Sequence, residues 1–182
     1  MKLILPYQLA LLFLAVSLLA SPPLASGEAV KVGVIAPLSG NVATWGMDVK
    51  NVLLFAQEKL KAENIQFIFE DDQCLGKSAV SAAHKLIDVD KIDYGIVVCT
   101  ESMLSTAPIF EKSKVVVISP VTSGAAVSEA GDYIFRIWPS DAQAGRLLFD
   151  YVNQKHGTFG ILTEDRGYAH ELTEAFLAAA RG

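Results

Sequence analysis

Histidine, cysteine and the glycine-rich motifs of catalysis are scarce or absent in this chain, and each shortage excludes a class of protein. The 182 residues include 3 histidines, scattered without a His-x-x-x-His pair, which excludes the usual zinc centres. Neither Gly-x-Gly-x-x-Gly nor Gly-x-x-x-x-Gly-Lys-Ser is present, so no phosphate-binding glycine loop is predicted. The Gly-x-Ser-x-Gly motif of many hydrolases is also absent. The 2 cysteines can form one bridge at most, which excludes a disulfide framework.

Positive charge is also in short supply. Lysine and arginine together number 15 against 20 acidic residues, and the resulting net charge of −5 argues against nucleic acid or an anionic membrane as a partner. The composition, with 52% hydrophobic and 19% charged residues, is that of a globular protein. We therefore expect one domain, or one domain and part of another.

The longest apolar run lies at the N-terminus. Lys2 precedes the apolar stretch 3–20, and a short segment rich in small residues and proline follows it. This order is typical of a secretory signal peptide over residues 1–27, because the run is interrupted near its start and about 20 apolar residues are needed to span a bilayer. We predict a mature chain that starts near Glu28 and is soluble in an oxidising compartment.

Strand-type apolar runs alternate with segments of helical period along the rest of the chain. The predicted strands cover 30–38, 65–69, 92–99, 114–120, 133–138 and 158–163, and the predicted helices cover 46–63, 78–88, 102–111, 141–155 and 169–180. This alternation predicts an α/β fold, a three-layer doubly wound parallel sheet with right-handed crossovers. The residues predicted to face the sheet from the first helix are Val49, Val52, Leu53, Ala56 and Leu60.

The change from strand-type to helical sequence at 137–140 is the candidate domain boundary. Only two helices and one strand are predicted beyond it, which is too little for an independent core. We therefore predict a first α/β lobe over 28–139, followed by a hinge and the start of a truncated second α/β lobe over 140–182.

Small hydroxyl residues follow two of the predicted strands. Thr100 comes directly after strand 92–99, and Thr122 and Ser123 come after strand 114–120. Ligands of open α/β sheets lie outside the carboxyl ends of the strands, where helix N-termini offer N–H groups. The two strand ends therefore predict a site for a small polar ligand that is bound without chemistry.

Three further features each leave two interpretations open. The acidic cluster Glu70–Asp72 is either a catalytic carboxylate pair or, as we favour, a solvated strand end that caps the next helix. Cys74 and Cys99 follow predicted strands and are either a single bridge, which we expect in an exported chain, or two free thiols. Trp45 either walls a pocket or packs over a strand end.

Four segments, in this order, resemble the branched-chain amino acid (Leu/Ile/Val) binding proteins, which are periplasmic receptors of ATP-binding-cassette importers with the type I periplasmic binding fold. The segments are 32–46 (VGVIAPLSGNVATWG), 70–74 (EDDQC), 99–102 (CTES) and 118–123 (ISPVTS). The resemblance implies two α/β lobes with the ligand in the cleft between them. It also implies a periplasmic location, a membrane permease as partner, and neither enzymatic activity nor a cofactor.

The resemblance also implies which residues touch the ligand. Thr100 is expected to bind the ligand carboxylate, and Ser123 to offer a hydroxyl and an N–H group. Val121 or Thr122 is expected to supply a backbone carbonyl. The remaining expected contacts are Trp45, as the apolar wall, and Tyr168, which closes over the ligand from the second lobe. By the same resemblance, Cys74 and Cys99 form the disulfide of the first lobe.

Glu101 departs from the family pattern, which more often has a small hydroxyl residue at this position. A carboxylate inside the site would repel the carboxylate of an amino acid and leave room for a basic or amide ligand. The alternative is a glutamate in the first turn of a helix that faces water and is favoured by the helix dipole.

We therefore expect the solute-binding component of an ATP-binding-cassette importer that binds an amino acid of branched-chain type or a similar small polar solute. A sensor or receptor domain of the same fold, which detects an amide or an amino acid, is the alternative. An enzyme that uses the carboxylates of Glu70–Asp72 is a third and weaker reading.

Overall fold

The computed structural model describes residues 29–155 and 157–181, so the predicted signal peptide lies outside the described residues. The strands are β1 (Val30–Ala36), β2 (Ile65–Asp71), β3 (Tyr94–Val97), β4 (Val116–Ser119) and β5 (Ile134–Arg136). The α-helices are α1 (Ala43–Leu60), α2 (Gly76–His84), α3 (Thr100–Ser113), α4 (Asp141–Asn153) and α5 (Gly167–Arg181). A π-helical segment, Lys85–Asp90, continues α2, and a 3-10 helix, Ala125–Glu129, precedes β5.

The five strands form one parallel sheet in the order β2-β1-β3-β4-β5. All carboxyl ends therefore lie at one edge, and the ends of β3 and β4 are neighbours there. This topology confirms the predicted parallel α/β fold. None of the helices in the described residues combines the length and apolar character needed to cross a membrane.

The two faces of the sheet are covered unequally. On one face, α2 and α3 bury a continuous core that includes Leu86, Phe110 and Val117, each fully inaccessible. On the other face, α1 covers Val34 and its neighbours near β1 and β2. The side chains that remain exposed on β3, β4, β5 and just beyond are Tyr94, Val116, Ile118, Phe135 and Ile137.

The apolar face of α1 is narrower than the helical period predicts. Val49 and Leu53 pack against the core, but Val52 and Leu60 are 64% and 78% exposed, so their predicted inward orientation is wrong. The 3.6-residue spacing of apolar residues shows which side of the helix faces the sheet, but not how many residues on that side are buried. That number depends on how many elements pack around the helix, and within the described part of the chain only the sheet lies under it.

The strand predicted at 158–163 is also wrong, since these residues, all described, are irregular. A strand needs a neighbour whose N–H and C=O groups pair with its own. Within the described chain no strand lies beside this segment, and Leu162 is fully exposed. The preceding helix begins with Ser140 as its N-cap, because the Ser140 side chain accepts a hydrogen bond from the Ala142 N–H at 3.3 Å.

Candidate ligand-binding pocket at the strand ends

A cavity of about 430 Å³ opens where β3 and β4 end, a size typical of small-molecule sites. The residues that line it come from α1, from the loops after β2, β3 and β4, from the segment after β5, from the loop before α5 and from the first turns of α3 and α5. They are Trp45, Asp48, Val49, Cys74, Val98, Cys99, Thr100, Glu101, Val121, Ser123, Trp138, Arg166 and Tyr168.

The structure brings together six of the seven residues predicted to touch a ligand, although they are far apart in sequence. The exception is Thr122, which is 1% exposed and absent from the lining. Its hydroxyl has no hydrogen-bond partner among the described residues. The six that line the cavity are Trp45, Thr100, Glu101, Val121, Ser123 and Tyr168.

Trp138 was missed by the sequence reasoning, although it lies in the predicted boundary segment. It lines the cavity and is 54% exposed, close to the 52% of Trp45. Exposure of two large apolar rings to water is unfavourable. The two rings therefore offer apolar surface that a bound ligand could cover. A large aromatic residue in a proline-containing segment beyond a strand end is the signal that could have identified it.

Arg166 and Asp48 are the other charged residues that the sequence reasoning did not place here. The Arg166 Nε lies 2.8 Å from the Glu164 carboxylate, so part of its charge is already paired. Asp48 belongs to a helix whose apolar period showed only which side chains face the core, and Arg166 lies in a loop outside the predicted elements. Their position at a cavity depends on tertiary packing.

The loop after β4 is held in place by several hydrogen bonds. The Thr122 N–H donates to the Ser119 hydroxyl at 3.0 Å, while the Arg136 guanidinium donates to the carbonyl oxygens of Ser123 and Gly124 at 2.9 and 2.7 Å. The Asp141 N–H also donates to the Ser123 carbonyl, at 2.8 Å. Ser123 is therefore presented to the cavity on a fixed backbone.

Asp141 adds a buried acid behind this loop. The residue is 6% exposed, and its Oδ2 has no hydrogen-bond partner among the described residues. Burial, reinforced by the nearby Glu171 carboxylate, raises the pKa of Asp141, and a hydrogen bond with Ser123 and the charge of Arg136 offset this only in part.

The acidic cluster 70–72 holds loops and the π-helical segment in place. Asp72, fully buried, accepts hydrogen bonds from the Ser102 hydroxyl and, at 3.0 Å, from the Cys74 N–H; burial raises its pKa. Asp71 accepts a bond from the Leu38 N–H at 2.8 Å, and Glu70 pairs with a lysine of the π-helical segment. The predicted capping of the next helix is wrong, since α2 begins without a side-chain cap. The described lining of the cavity includes none of the three acids.

The predicted bridge between Cys74 and Cys99 is confirmed. The two residues form a disulfide with their Cα atoms 5.5 Å apart, and both line the cavity. Because β1 lies between β2 and β3, the bridge joins the loops of two strands that are not neighbours. It therefore ties the loop after β2 to the start of α3, directly beside Thr100.

Glu101 lines the cavity, and its carboxylate is directed at the start of α5. Its carboxylate is half-buried and accepts a hydrogen bond from the Gly167 N–H at 2.9 Å. Tyr168, the next residue, donates its hydroxyl to the Glu164 carboxylate at 3.1 Å. Burial and this hydrogen bond raise the pKa of the Tyr168 hydroxyl. Glu101 is thus occupied by the backbone of α5 at the mouth of the cavity.

The sequence profile of the periplasmic binding proteins matches residues 29–182, and the chain belongs to this family. The Leu/Ile/Val-binding protein homolog 3 of Brucella melitensis is 30% identical over 160 residues, which are 82% of this chain and 43% of that protein. The leucine-specific-binding protein of Salmonella typhimurium is 26% identical over 83% of this chain and 43% of its own length. The chain thus spans less than half the length of these relatives.

Solved structures show the same fold. A leucine binding protein of Thermotoga maritima superposes with a TM-score of 0.76 at 23% identity, over 83% of this chain and 45% of that one. A solute binding protein of an ABC transporter from Rhodopseudomonas palustris, in complex with 3,4-dihydroxybenzoic acid, gives 0.70 at 24% identity, over 84% and 45%. The predicted type I periplasmic binding fold is therefore confirmed over the part that this chain covers.

Proposed function

We propose that this chain is the solute-binding component of an ATP-binding-cassette importer and that it binds an amino acid of branched-chain type. The observation that carries the proposal is the cavity at the ends of β3 and β4, which gathers Thr100, Ser123 and Trp45 from three separate segments. The names of its relatives, which include Leu/Ile/Val-binding proteins, support the same ligand class.

The polar end of the ligand would lie against the start of α3. The first N–H groups of an α-helix have no partner within the helix, and they carry the positive end of its dipole. α3 begins at Thr100, which is 5% exposed and lines the cavity. A ligand carboxylate held here would also be within reach of Ser123 on the neighbouring loop. Holding a substrate in this way needs no catalytic group.

The apolar end of the ligand would meet the remaining walls. Val49, Val98 and Val121 line the cavity together with Trp45 and Trp138. An aliphatic side chain placed there would cover apolar surface that is now open to water, which is the main source of favourable binding energy for such a ligand.

The proposal also includes two lobes, a first over 28–139 and the start of a second from 140, with closure about segment 137–140. Trp138 from that segment and Tyr168 from the start of α5 line the cavity opposite the strand ends. Hinge closure around a ligand is a common transition in proteins built from two such lobes. The periplasmic location and a membrane permease as partner follow from the role in an importer; a sensor of the same fold would bind ligand without the permease.

A second ligand class, an aromatic carboxylate, is favoured by one specific observation. Three aromatic side chains line the cavity, namely Trp45, Trp138 and Tyr168, and ring stacking adds to the burial of apolar area. The solute binding protein from Rhodopseudomonas palustris, which has the same fold, was solved in complex with 3,4-dihydroxybenzoic acid. Leucine and 4-hydroxybenzoate therefore form the pair of probes that separates the two classes.

Calorimetric titration of the chain with each probe tests the proposal. We expect one probe to bind, and Thr100→Ala or Ser123→Ala to weaken its binding roughly tenfold to a hundredfold, because each removes a hydrogen bond to a charged group. Ser113→Ala, an exposed position at the other end of α3, is the matched control and should leave the affinity unchanged. Equal affinities of the wild type and both site variants would contradict the assignment.

A further inference from the structure

Two glutamates connect α5 with the segments that follow β3 and β4. One glutamate lies in α3 and accepts from the α5 backbone, and the other lies in α5 and accepts from the 3-10 helix. Glu101, in the first turn of α3, accepts a hydrogen bond from the N–H of Gly167, the first residue of α5, at 2.9 Å. Glu171, one turn into α5, accepts a hydrogen bond from the Ala126 N–H in the 3-10 helix at 3.0 Å. Each side of this junction therefore supplies one carboxylate and one backbone donor.

Both contacts are of the stronger kind of hydrogen bond. A carboxylate that accepts from a backbone N–H forms a charge-assisted bond, about twice as strong as a neutral one. At Gly167 the carboxylate also faces the positive end of the dipole of a 15-residue helix. Glu101 is half-buried, which reduces the screening of this interaction by water.

Glycine permits the close approach on each side. A Cβ atom at Gly167 would lie 3.0 Å from the Cγ of Glu101, which is tighter than ordinary contacts between side chains. A Cβ atom at Gly124, beside the 3-10 helix, would lie 2.9 Å from the Glu171 carboxylate and 2.5 Å from the Thr100 methyl group. The absence of a side chain at Gly167 and Gly124 therefore leaves space for the two glutamate side chains.

The held segments are those that carry cavity residues. Arg166 and Tyr168 flank Gly167 and line the cavity, while Ser123 precedes Gly124 on the loop that Glu171 approaches. We propose that Glu101 and Glu171 are positioning residues, a two-glutamate latch that holds Tyr168 and Arg166 over the cavity without touching the ligand. The relevance of the latch to binding rests on the proposed function, but the latch itself does not.

The latch explains why a carboxylate is compatible with a site for an anionic group. The Glu101 carboxylate is directed at the α5 backbone and is stabilised there by the Gly167 N–H. Its replacement should therefore change how firmly the mouth of the cavity is held, and it should not change which probe is preferred. A residue in contact with the ligand would show the opposite pattern.

Two readouts follow the latch without any ligand. The first is the hydrogen-exchange rate of the Gly167 and Ala126 amides, the two donors. The second is acrylamide quenching of tryptophan fluorescence, which is specific to the cavity because the chain has 2 tryptophans and both Trp45 and Trp138 line it.

We expect Glu101→Ala to make the Gly167 amide exchange about tenfold faster and Glu171→Ala to do the same at Ala126, since each loses a charge-assisted bond. Quenching should rise in both variants, and most in the double variant. Glu101→Gln keeps an acceptor oxygen and should fall between wild type and Glu101→Ala. Glu174→Ala, on the same helix and 70% exposed, is the matched control and should behave as wild type.

Wild-type exchange at Gly167 and wild-type quenching in Glu101→Ala would overturn the latch. If that variant does not fold, Glu101→Gln decides by the same readouts: faster exchange than wild type supports the latch, and equal exchange contradicts it. A variant that switches preference between leucine and 4-hydroxybenzoate with unchanged exchange would make Glu101 a ligand contact instead. If neither leucine nor 4-hydroxybenzoate binds, the proposed function fails, but the result on the latch is unaffected.

Discussion

The sheet region, residues 29–136, and the helical pair α4–α5 are held together very differently, although the sheet region and the start of α5 both line the cavity. In the sheet region, Ile35, Leu86 and Phe110 are completely buried within one continuous core. In the helical pair, Leu147 is 70% exposed and Leu162, on the connecting segment, is fully exposed. One wall of the cavity is therefore rigid and the other is weakly supported.

Three aromatic rings pack against one another within the helical pair and the segment that connects it. Phe176 lies with its centroid 5.6 Å from that of Phe149 and 5.2 Å from that of Phe159, in edge-to-face arrangements. Close packing at Gly145 lets the two helices approach, since a Cβ atom there would lie 2.6 Å from the Phe176 backbone nitrogen. Regions with few buried apolar contacts open at low free-energy cost, which is the property that a cleft needs in order to admit a ligand.

Core truncation in the two regions gives the largest expected contrast. Phe110→Ala should lower the free energy of unfolding of the whole chain by about 3–5 kcal/mol, because it leaves a cavity in the larger of the two cores among the described residues. Phe176→Ala, whose residue is 6% exposed, should instead release α4 and α5 while the sheet stays folded. Hydrogen exchange resolved by segment measures both effects.

Exchange in the strands of the Phe176→Ala variant shows whether the two regions unfold separately. If Phe176→Ala accelerates exchange in β1 and β3 as much as in α5, the sheet region and the helical pair unfold as one unit and do not differ in stability. Phe135→Ala, which truncates a 51% exposed ring on β5, is the control and should alter neither pattern.

Loss of the disulfide should weaken the sheet region specifically. Replacement of both cysteines by serine removes a bridge between positions 25 residues apart, which is worth about 3 kcal/mol. Thermal unfolding with and without reductant measures this: reductant should lower the melting temperature of the wild type and leave that of the double-serine variant unchanged. A wild type that melts identically under both conditions would show that the bridge does not support the rigid wall.

The smallest expected effect is a difference in pH dependence between two adjacent acids. Burial raises the folded-state pKa of Asp72 above 3.8, so its stabilising contribution is greatest below that pH and is lost as pH rises through the folded pKa. Asp71 shows the opposite dependence. Slight burial acts to raise its pKa, but hydrogen bonds from Ser39, Leu38 and Gln73 outweigh this and lower the pKa below 3.8. Its contribution to the free energy of unfolding is therefore lost as pH falls through the folded pKa.

Denaturant unfolding between pH 3 and pH 7 checks these signs in the variants Asp72→Asn and Asp71→Asn. Asp72→Asn should abolish a decrease in the free energy of unfolding as pH rises, and Asp71→Asn should abolish an increase over the same range. Changes of the same sign in both variants would show that burial does not distinguish the two carboxylates.

The sequence was sufficient for the sheet and for most of the cavity, and its failures have physical causes. Strand ends can be located from apolar runs, and parallel strands bring their ends to one edge, so Thr100 and Ser123 could be placed together in advance. Thr122 could not, because a one-residue difference in a loop decides whether a side chain faces the cavity or the core. The strand at 158–163 failed because strand formation depends on a neighbouring strand that local sequence does not reveal.

Trp138 and Arg166 show the same limit at the cavity itself. Both line the cavity, and Arg166 lies beside the junction where Glu101 and Glu171 accept hydrogen bonds from backbone N–H groups across it. Local periodicity predicts which side chains are buried under an element. It does not predict which polar contacts bring two elements together.

The central claim, that a small solute binds between the rigid wall and the weakly held wall, is tested most directly by tryptophan fluorescence. The chain is titrated with leucine and, separately, with 4-hydroxybenzoate, while emission from Trp45 and Trp138 is followed. The account predicts a saturable change with one probe, together with slower exchange at the Gly167 amide and loss of the response in Ser123→Ala. No saturable change with either probe, in a chain that melts cooperatively, would contradict it.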